Sequence, residues 1–288
     1  MRPRGLMKSE IKTSLPGAPL LFGDRKAILF LPGFFFVLLA PFVTAGVPET
    51  RDSGFVLVDD FQAYDPVRVQ EFLCHDGWIP HRGTGMNRIA REGDNHFLAI
   101  GFHQGRTVSR RLPPELVVED ESVATLFLRV RIQSETVNDA RFGLANDPVF
   151  RDDMDPRSFG VALRITGRDG VFRLQVFDSL PRGWTSLANM ERGKWYNLWL
   201  AVERSEYNRF AVYKTEGTEG ARRKDRLEYE TETEGETVSL FPLSASLPTG
   251  ASLNYFMASA DVSPQESLHF DQIWLDNTRV NLSFPVSE

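Results

Sequence analysis

The sequence predicts an all-β protein made of antiparallel sheets, closed as a sandwich or as a barrel. Three observations carry this: apolar and polar residues alternate with a period of two after residue 54, turn residues fall between the alternating runs, and helical periodicity is nearly absent. The run "SVATLFLRVRIQ" shows the alternation best. Leu126, Leu128, Val130 and Ile132 fall on one side of an extended chain, and Thr125, Phe127, Arg129, Arg131 and Gln133 on the other, because successive side chains of a strand point to opposite faces. The same reading places Val161, Leu163 and Ile165 inward in "FGVALRIT", and Phe172, Leu174 and Val176 inward in "VFRLQVF". "KWYNLWLAVER", "RFAVYK", "ASLNYFMAS" and "SLHFDQIWLD" are further strands with a more mixed alternation. Gly167-Arg168-Asp169-Gly170, Pro181-Arg182-Gly183, Arg192-Gly193 and Pro248-Thr249-Gly250 read as turns between them. One short helix is expected in "YDPVRVQEFLC", with Asp65 as N-cap and Pro66 at the first helical position. The charged stretch Lys214 to Thr237 reads as a solvated loop and hairpin excursion.

Residues 1–45 read as an export signal. Six basic side chains (Arg2, Arg4, Lys8, Lys12, Arg25 and Lys26) precede the uncharged run "AILFLPGFFFVLLAPFV", and Val43-Thr44-Ala45 offers small residues for cleavage after Ala45. An uncleaved anchor is the alternative, against which Pro32, Gly33 and Pro41 interrupt a run already short for a membrane span. Residues 46–54 form a linker and residues 55–288 a single β domain. The protein is expected in the periplasm, on the cell surface or outside the cell, touching membrane only if the leader stays in place. Net charge is −6 over 288 residues even with the basic leader included, so the domain is acidic and no nucleic-acid partner is expected. Cys74 is the sole cysteine, so an exported chain folds without an internal disulfide and relies on burial.

Three stretches taken in order carry a family resemblance. "GFVLVDDFQAY" opens the domain, "ATLFLRVRI" and "FGLANDP" lie in its middle, and "GKWYNLWLAVE" leads to a terminal "FDQIWLDNTRVNLSFP". Together they resemble concanavalin A-like jelly rolls of the laminin-G kind, closest to exported bacterial proteins that open on a Asp-Asp-Phe strand and end on an Asp-x-Ile-x-x-Asp strand. The resemblance spans Phe55 to Pro285. It implies an antiparallel two-sheet jelly-roll sandwich whose first and last strands lie side by side, with Phe55–Phe61 near His269–Leu275. Function stays open, because jelly rolls host lectins, hydrolases, lyases and adhesion modules.

Tests for chemistry are mostly negative. Laminarinase-type glucanases on this fold carry Glu-x-Asp-x-Glu, which sets acid, helper and nucleophile on one face of a strand. That motif is absent. Asp271 and Asp276 are five apart and fall on opposite faces of a regular strand, meeting only if a bulge intervenes; Asp59 and Asp60 are adjacent and fail the same test. The motifs of alginate-lyase jelly rolls are missing apart from an echo in "YFMAS". His75, His81, His96 and His103 cluster near Cys74, but none of their spacings matches a familiar ligand pattern. Asn146, Asp147, Asp152, Asp153 and Asp155 form an oxygen-rich loop that suits calcium, against the plainer reading of a proline-flanked turn.

The binding candidates are cationic and aromatic. Arg129, Arg131, Arg164 and Arg173 all fall on the solvent side of their strands; on one sheet they would make a basic stripe suited to carboxylate or sulfate. Trp78 and Trp184 lie beside turns, where rings stack on sugars, whereas one or both of Trp195 and Trp199, and likewise Trp274, are expected in the core. The expected function is an exported, non-catalytic module that binds a polysaccharide or cell-surface glycan, an anionic polysaccharide being the ligand that the arginines would suit. The alternatives are a polysaccharide hydrolase or lyase with a site drawn from separate strands, and a structural or adhesion protein without a small ligand.

Overall fold

The computed structural model describes residues 54–64, 77–80, 87–101, 107–147, 159–178, 183–204, 209–227, 230–233, 236–239, 243–244, 251–263 and 266–285. All belong to one compact unit, Arg51–Glu288. The leader, the helix expected after Asp65, and Cys74, His75, His81 and His103 lie outside the described residues. In chain order the strands are β1 Val56–Asp59, β2 Trp78–Pro80, β3 Arg88–Glu92, β4 Asn95–Gly101, β5 Thr107–Arg111, β6 Val123–Ile132, β7 Thr136–Ala145, β8 Val161–Arg168 and β9 Val171–Asp178. They continue with β10 Gly183–Met190, β11 Trp195–Glu203, β12 Arg209–Thr215, β13 Glu230–Thr233, β14 Glu236–Ser239, β15 Leu243–Ser244, β16 Tyr255–Val262 and β17 Ser267–Asp276.

Two antiparallel sheets hold almost all of them. Sheet A runs β15-β12-β11-β6-β17-β4-β3, with β1 also paired to β17, and sheet B runs β10-β9-β8-β7-β16-β5-β2. The chain crosses between sheets at each step from β4 to β7 and again from β16 to β17. Partners in that crossing occupy matching places in the two sheets, which is the winding of a jelly roll. The expected closure is present: Val56 pairs with Leu275 and Leu57 with Trp274, so the first strand lies on the last. Paired β13 and β14 form the hairpin expected in the charged excursion.

The dry layer between the sheets comes from the alternating residues. Leu126, Leu128, Val130 and Ile132 of β6 meet Phe142 and Leu144 of β7, Leu163 and Ile165 of β8, and Phe172, Leu174 and Val176 of β9. Phe270 of β17 packs edge-on to Phe142 at 5.2 Å and to Phe256 at 6.2 Å. Each such ring contributes about 2–3 kcal/mol by burial.

A second apolar layer lies on the outer face of sheet A. Tyr213, Trp199, Phe127 and Trp274 stand in register on β12, β11, β6 and β17, and Leu282 and Phe284 of the C-terminal segment fold over them. The segment is tied down polarly as well: Trp199 Nε1 donates to Ser283 O at 2.9 Å, and Asn281 Nδ2 to Asp276 Oδ2 at 2.8 Å. Trp199 and Trp274 are therefore buried as expected, but beneath this strap and not between the sheets. The alternation already placed Phe127 on this side; a strap over it is not visible in any single strand.

Candidate functional site

The outward residues of β6 organise the polar surface beside this aromatic layer. Arg131 stands between Trp195 on β11 and His269 on β17. Its Nη1 donates to Glu92 Oε2 at 2.6 Å, and its guanidinium lies 4.6 Å from the Trp195 ring centre and 5.2 Å from that of Phe97. Nε and Nη2 of Arg131 sit 3.3 and 3.1 Å from His269 Nδ1. A guanidinium only donates, so Nδ1 accepts and the ring proton is on Nε2. That Nε2–H faces Ser267 Oγ at 2.7 Å. Burial, followed by the charges of Arg131 and Arg88, pushes the His269 pKa down to about 3. Ser267 thus receives a hydrogen bond where a nucleophile would need to give up its proton, and this Ser–His pair is wired against hydrolase chemistry.

One register step away, Arg129 stands between Asn197 and Asp271. Asp271 is fully buried; its Oδ2 takes a hydrogen bond from Asn95 Nδ2 at 3.1 Å and an ion pair from Arg129 Nη1 at 3.4 Å. Burial outweighs both and pushes its pKa up to about 6. After Asp271 the strand bulges. Gln272 adopts a left-handed φ of 49°, and the register against β6 slips between Asp271 and Trp274. The slip turns Trp274 and Asp276 to the same outer face as Asp271, which corrects the expectation that the two aspartates point apart. They still make no acid pair. Opposite Arg129 and Thr125, they are separated by about 13 Å along the strand direction, beyond the spacing of glycosidase carboxylates. Asp276 is spent on Thr278, Arg279 and Asn281.

The bulge forms one wall of a cleft of about 410 Å³ lined by Asp60, Gln62, Asn95, Gln272, Trp274 and Phe284. Phe61, at a left-handed φ of 63°, turns the chain out of β1 so that Asp60 and Gln62 reach this rim. Gln62 Nε2 donates to Asn95 Oδ1 at 3.1 Å and to His96 O at 3.0 Å, which fixes both amides. Trp274 Nε1, Gln272 Oε1 and Asp271 Oδ1 have no hydrogen-bond partner among the described residues. All three atoms are buried; Gln272 and Trp274 belong to the cleft lining and Asp271 does not, and buried polar atoms left unpaired are uncommon in folded proteins. Two polar residues in succession, Asp271-Gln272, break the alternation of the strand and are the sequence signal for this bulge.

The predicted arginines divide between the two outer faces. Arg129 and Arg131 are on sheet A, whereas Arg164 on β8 and Arg173 on β9 are on sheet B, so the single stripe does not form. Alternation shows which residues face outward but not which sheet a strand joins. Arg164 pairs with Asp139 at 3.1 Å and lies over the Trp184 ring at 5.2 Å. Trp184 is half-buried on β10 against Phe177. Trp78 is no surface ring: it is buried, stacks at 5.9 Å on Phe61, and donates Nε1 to Asp59 Oδ2 at 2.8 Å. Asp59 and Arg110 occupy its one polar edge, and the rest of the indole plugs the end of the sandwich. Asn146 and Asp147 close β7, while Asp152, Asp153 and Asp155 lie outside the described residues. Among the described residues no group of three or more His, Cys, Asp or Glu side chains could hold a metal.

No family model matches the sequence, and no curated protein does. Solved structures align with it at low identity. The carbohydrate esterase vb_24B_21 of Shiga toxin-encoding bacteriophage phi24B aligns over 78% of this chain and 99% of its own at 8% identity, with a TM-score of 0.44. The Emp47p carbohydrate recognition domain aligns over 79% and 96% at 11% identity and TM-score 0.44. The VIP36 exoplasmic/lumenal domain, in a Ca2+/Man3GlcNAc-bound form, aligns over 70% and 86% at 12% identity and TM-score 0.40. At these values no residue role transfers from them.

Proposed function

We propose that the protein is an exported, non-catalytic glycan-binding module and that the cleft beside the β17 bulge is its saccharide site. The observation that carries this is the cleft's rim of Asp60, Gln62, Asn95 and Gln272, in which the Gln62 and Asn95 amides are held by hydrogen bonds over the largely buried Trp274 and Phe284. A sugar offers hydroxyls as both donor and acceptor to such a rim of amides and carboxylate. Export is supported by the composition of residues 1–45. At this cleft the ligand is read as uncharged, since Arg129 and Arg131 are already paired with Asp271 and Glu92. One sugar face gives modest affinity, so multivalent ligands are expected.

The test is a glycan array on the purified protein, followed by calorimetry with the strongest ligand and a reducing-end assay. Gln272→Ala and Gln62→Ala should each weaken binding about tenfold or more, with circular dichroism unchanged. Release of reducing ends would replace this reading with an enzyme, and absence of any glycan binding would replace it with a structural role.

A further inference from the structure

The geometry points to a second ligand site, on the outer face of sheet B, where the Arg141–Arg164 pair held over Trp184 takes the anionic group of a charged polysaccharide. Arg141 of β7 and Arg164 of β8 are direct cross-strand partners, a like-charge placement that destabilises a sheet unless something neutralises it. One carboxylate serves both: Arg141 Nε donates to Asp139 Oδ1 at 2.9 Å, and Arg164 Nε lies 3.1 Å from the same oxygen. Arg141 Nη1 finds no hydrogen-bond partner among the described residues. Arg173, one register step on and exposed, makes no ion pair among the described residues. Among the described residues, the acids in register beside these arginines are Asp139 and, opposite it on β16, Asp261. Those described charges leave a local positive excess on a chain whose net charge is −6.

The guanidiniums are also held in place. Their central carbons lie 5.6 and 5.2 Å from the Trp184 ring centre, and Trp184 is braced edge-on by Phe177 at 5.5 Å. A stacked, immobile fork loses little entropy on gripping a carboxylate or sulfate. In the same register row follow Gln175 and Ser186, hydrogen-bonded to each other at 3.3 Å. That uncharged strip continues from the arginines across β9 and β10 and fits a hydroxylated chain better than an isolated anion. Charge at one end and hydroxyl partners along the row describe a uronate-containing or sulfated glycan.

Polygalacturonate and dextran sulfate, with uncharged dextran as control, separate the two anion chemistries by affinity electrophoresis and calorimetry. Binding to at least one charged polymer is expected, weakening as salt rises. Arg141→Gln and Arg164→Gln should each weaken it about tenfold or more, and exposed Arg173→Gln by a few fold. Gln272→Ala, at the cleft of the opposite sheet, should leave it unchanged, which keeps failure here distinct from failure of the sheet A cleft. Equal binding of dextran, no response to salt and Arg173→Gln, abolition by Gln272→Ala, or no binding to either charged polymer would each overturn the proposal.

Discussion

His269 and Asp271 stand two residues apart on the outer face of β17, and burial displaces their proton equilibria in opposite directions. The His269 pKa falls from 6.5 to about 3, while that of Asp271 rises from 3.8 to about 6. Between those limits for the histidine, the unfolded chain binds a proton that the native state refuses. Its contribution to stability is complete above pH 6.5 and is lost on acidification at about 1.4 kcal/mol per pH unit, about 5 kcal/mol in all. For the aspartate the native state holds the proton and the unfolded chain does not, so acidification from about pH 6 to 3.8 stabilises by the same slope, about 3 kcal/mol in all. Across the shared window the two slopes cancel. His269→Gln and Asp271→Asn each remove one of them. Urea denaturation of the parent and both variants across this window should show Asp271→Asn losing stability on acidification by about 1.4 kcal/mol per pH unit relative to the parent, and His269→Gln gaining by the same slope. Variant curves that run parallel to the parent would refute the reasoning.

Further outcomes follow from single contacts. Gly143 has a φ of +153°, and a Cβ there would meet Val161 O at 2.0 Å, so Gly143→Ala should cost about 3 kcal/mol or more in a denaturation experiment. Trp199→Phe deletes the hydrogen bond to Ser283 O; it should cost about 1 kcal/mol and speed amide exchange in residues 281–285. Gln272→Gly relieves the left-handed φ of 49° and removes an unpaired buried oxygen. It should raise stability by up to about 1 kcal/mol while weakening saccharide binding at the cleft, a divergence measured by a melt and a titration on the same sample.

The fold was legible because burial imposes a period of two. On β6, Leu126 to Ile132 face inward at every second place, and the pairing of β1 with β17 follows the family resemblance. Sites were less legible, for reasons seen in particular residues. Trp78 sits beside a turn yet is drawn inward by Phe61 and the Asp59 carboxylate, partners that sequence spacing does not reveal. Arg129 and Arg164 look alike on paper, but β6 and β8 belong to different sheets. The aspartates of β17 share a face because Gln272 inserts a bulge, and a bulge depends on register against β6 as much as on local residues. Asp60 and Gln62 come from one segment and Asn95 from another, and they meet through the turn at Phe61.

Because β17 lies between β4 and β6, with β1 against it as well, sheet A has a gap at its middle until residues 267–276 are in place. A nascent chain emerging from the ribosome can assemble the hairpins of β7 to β10 early, yet must hold β1, β4 and β6 as unzipped edges until β17 has been made. Folding is thus deferred to the last strand, whose long-range pairings make it slow. A polypeptide built this way exposes unpaired strand edges in the interval, when it is most prone to aggregate.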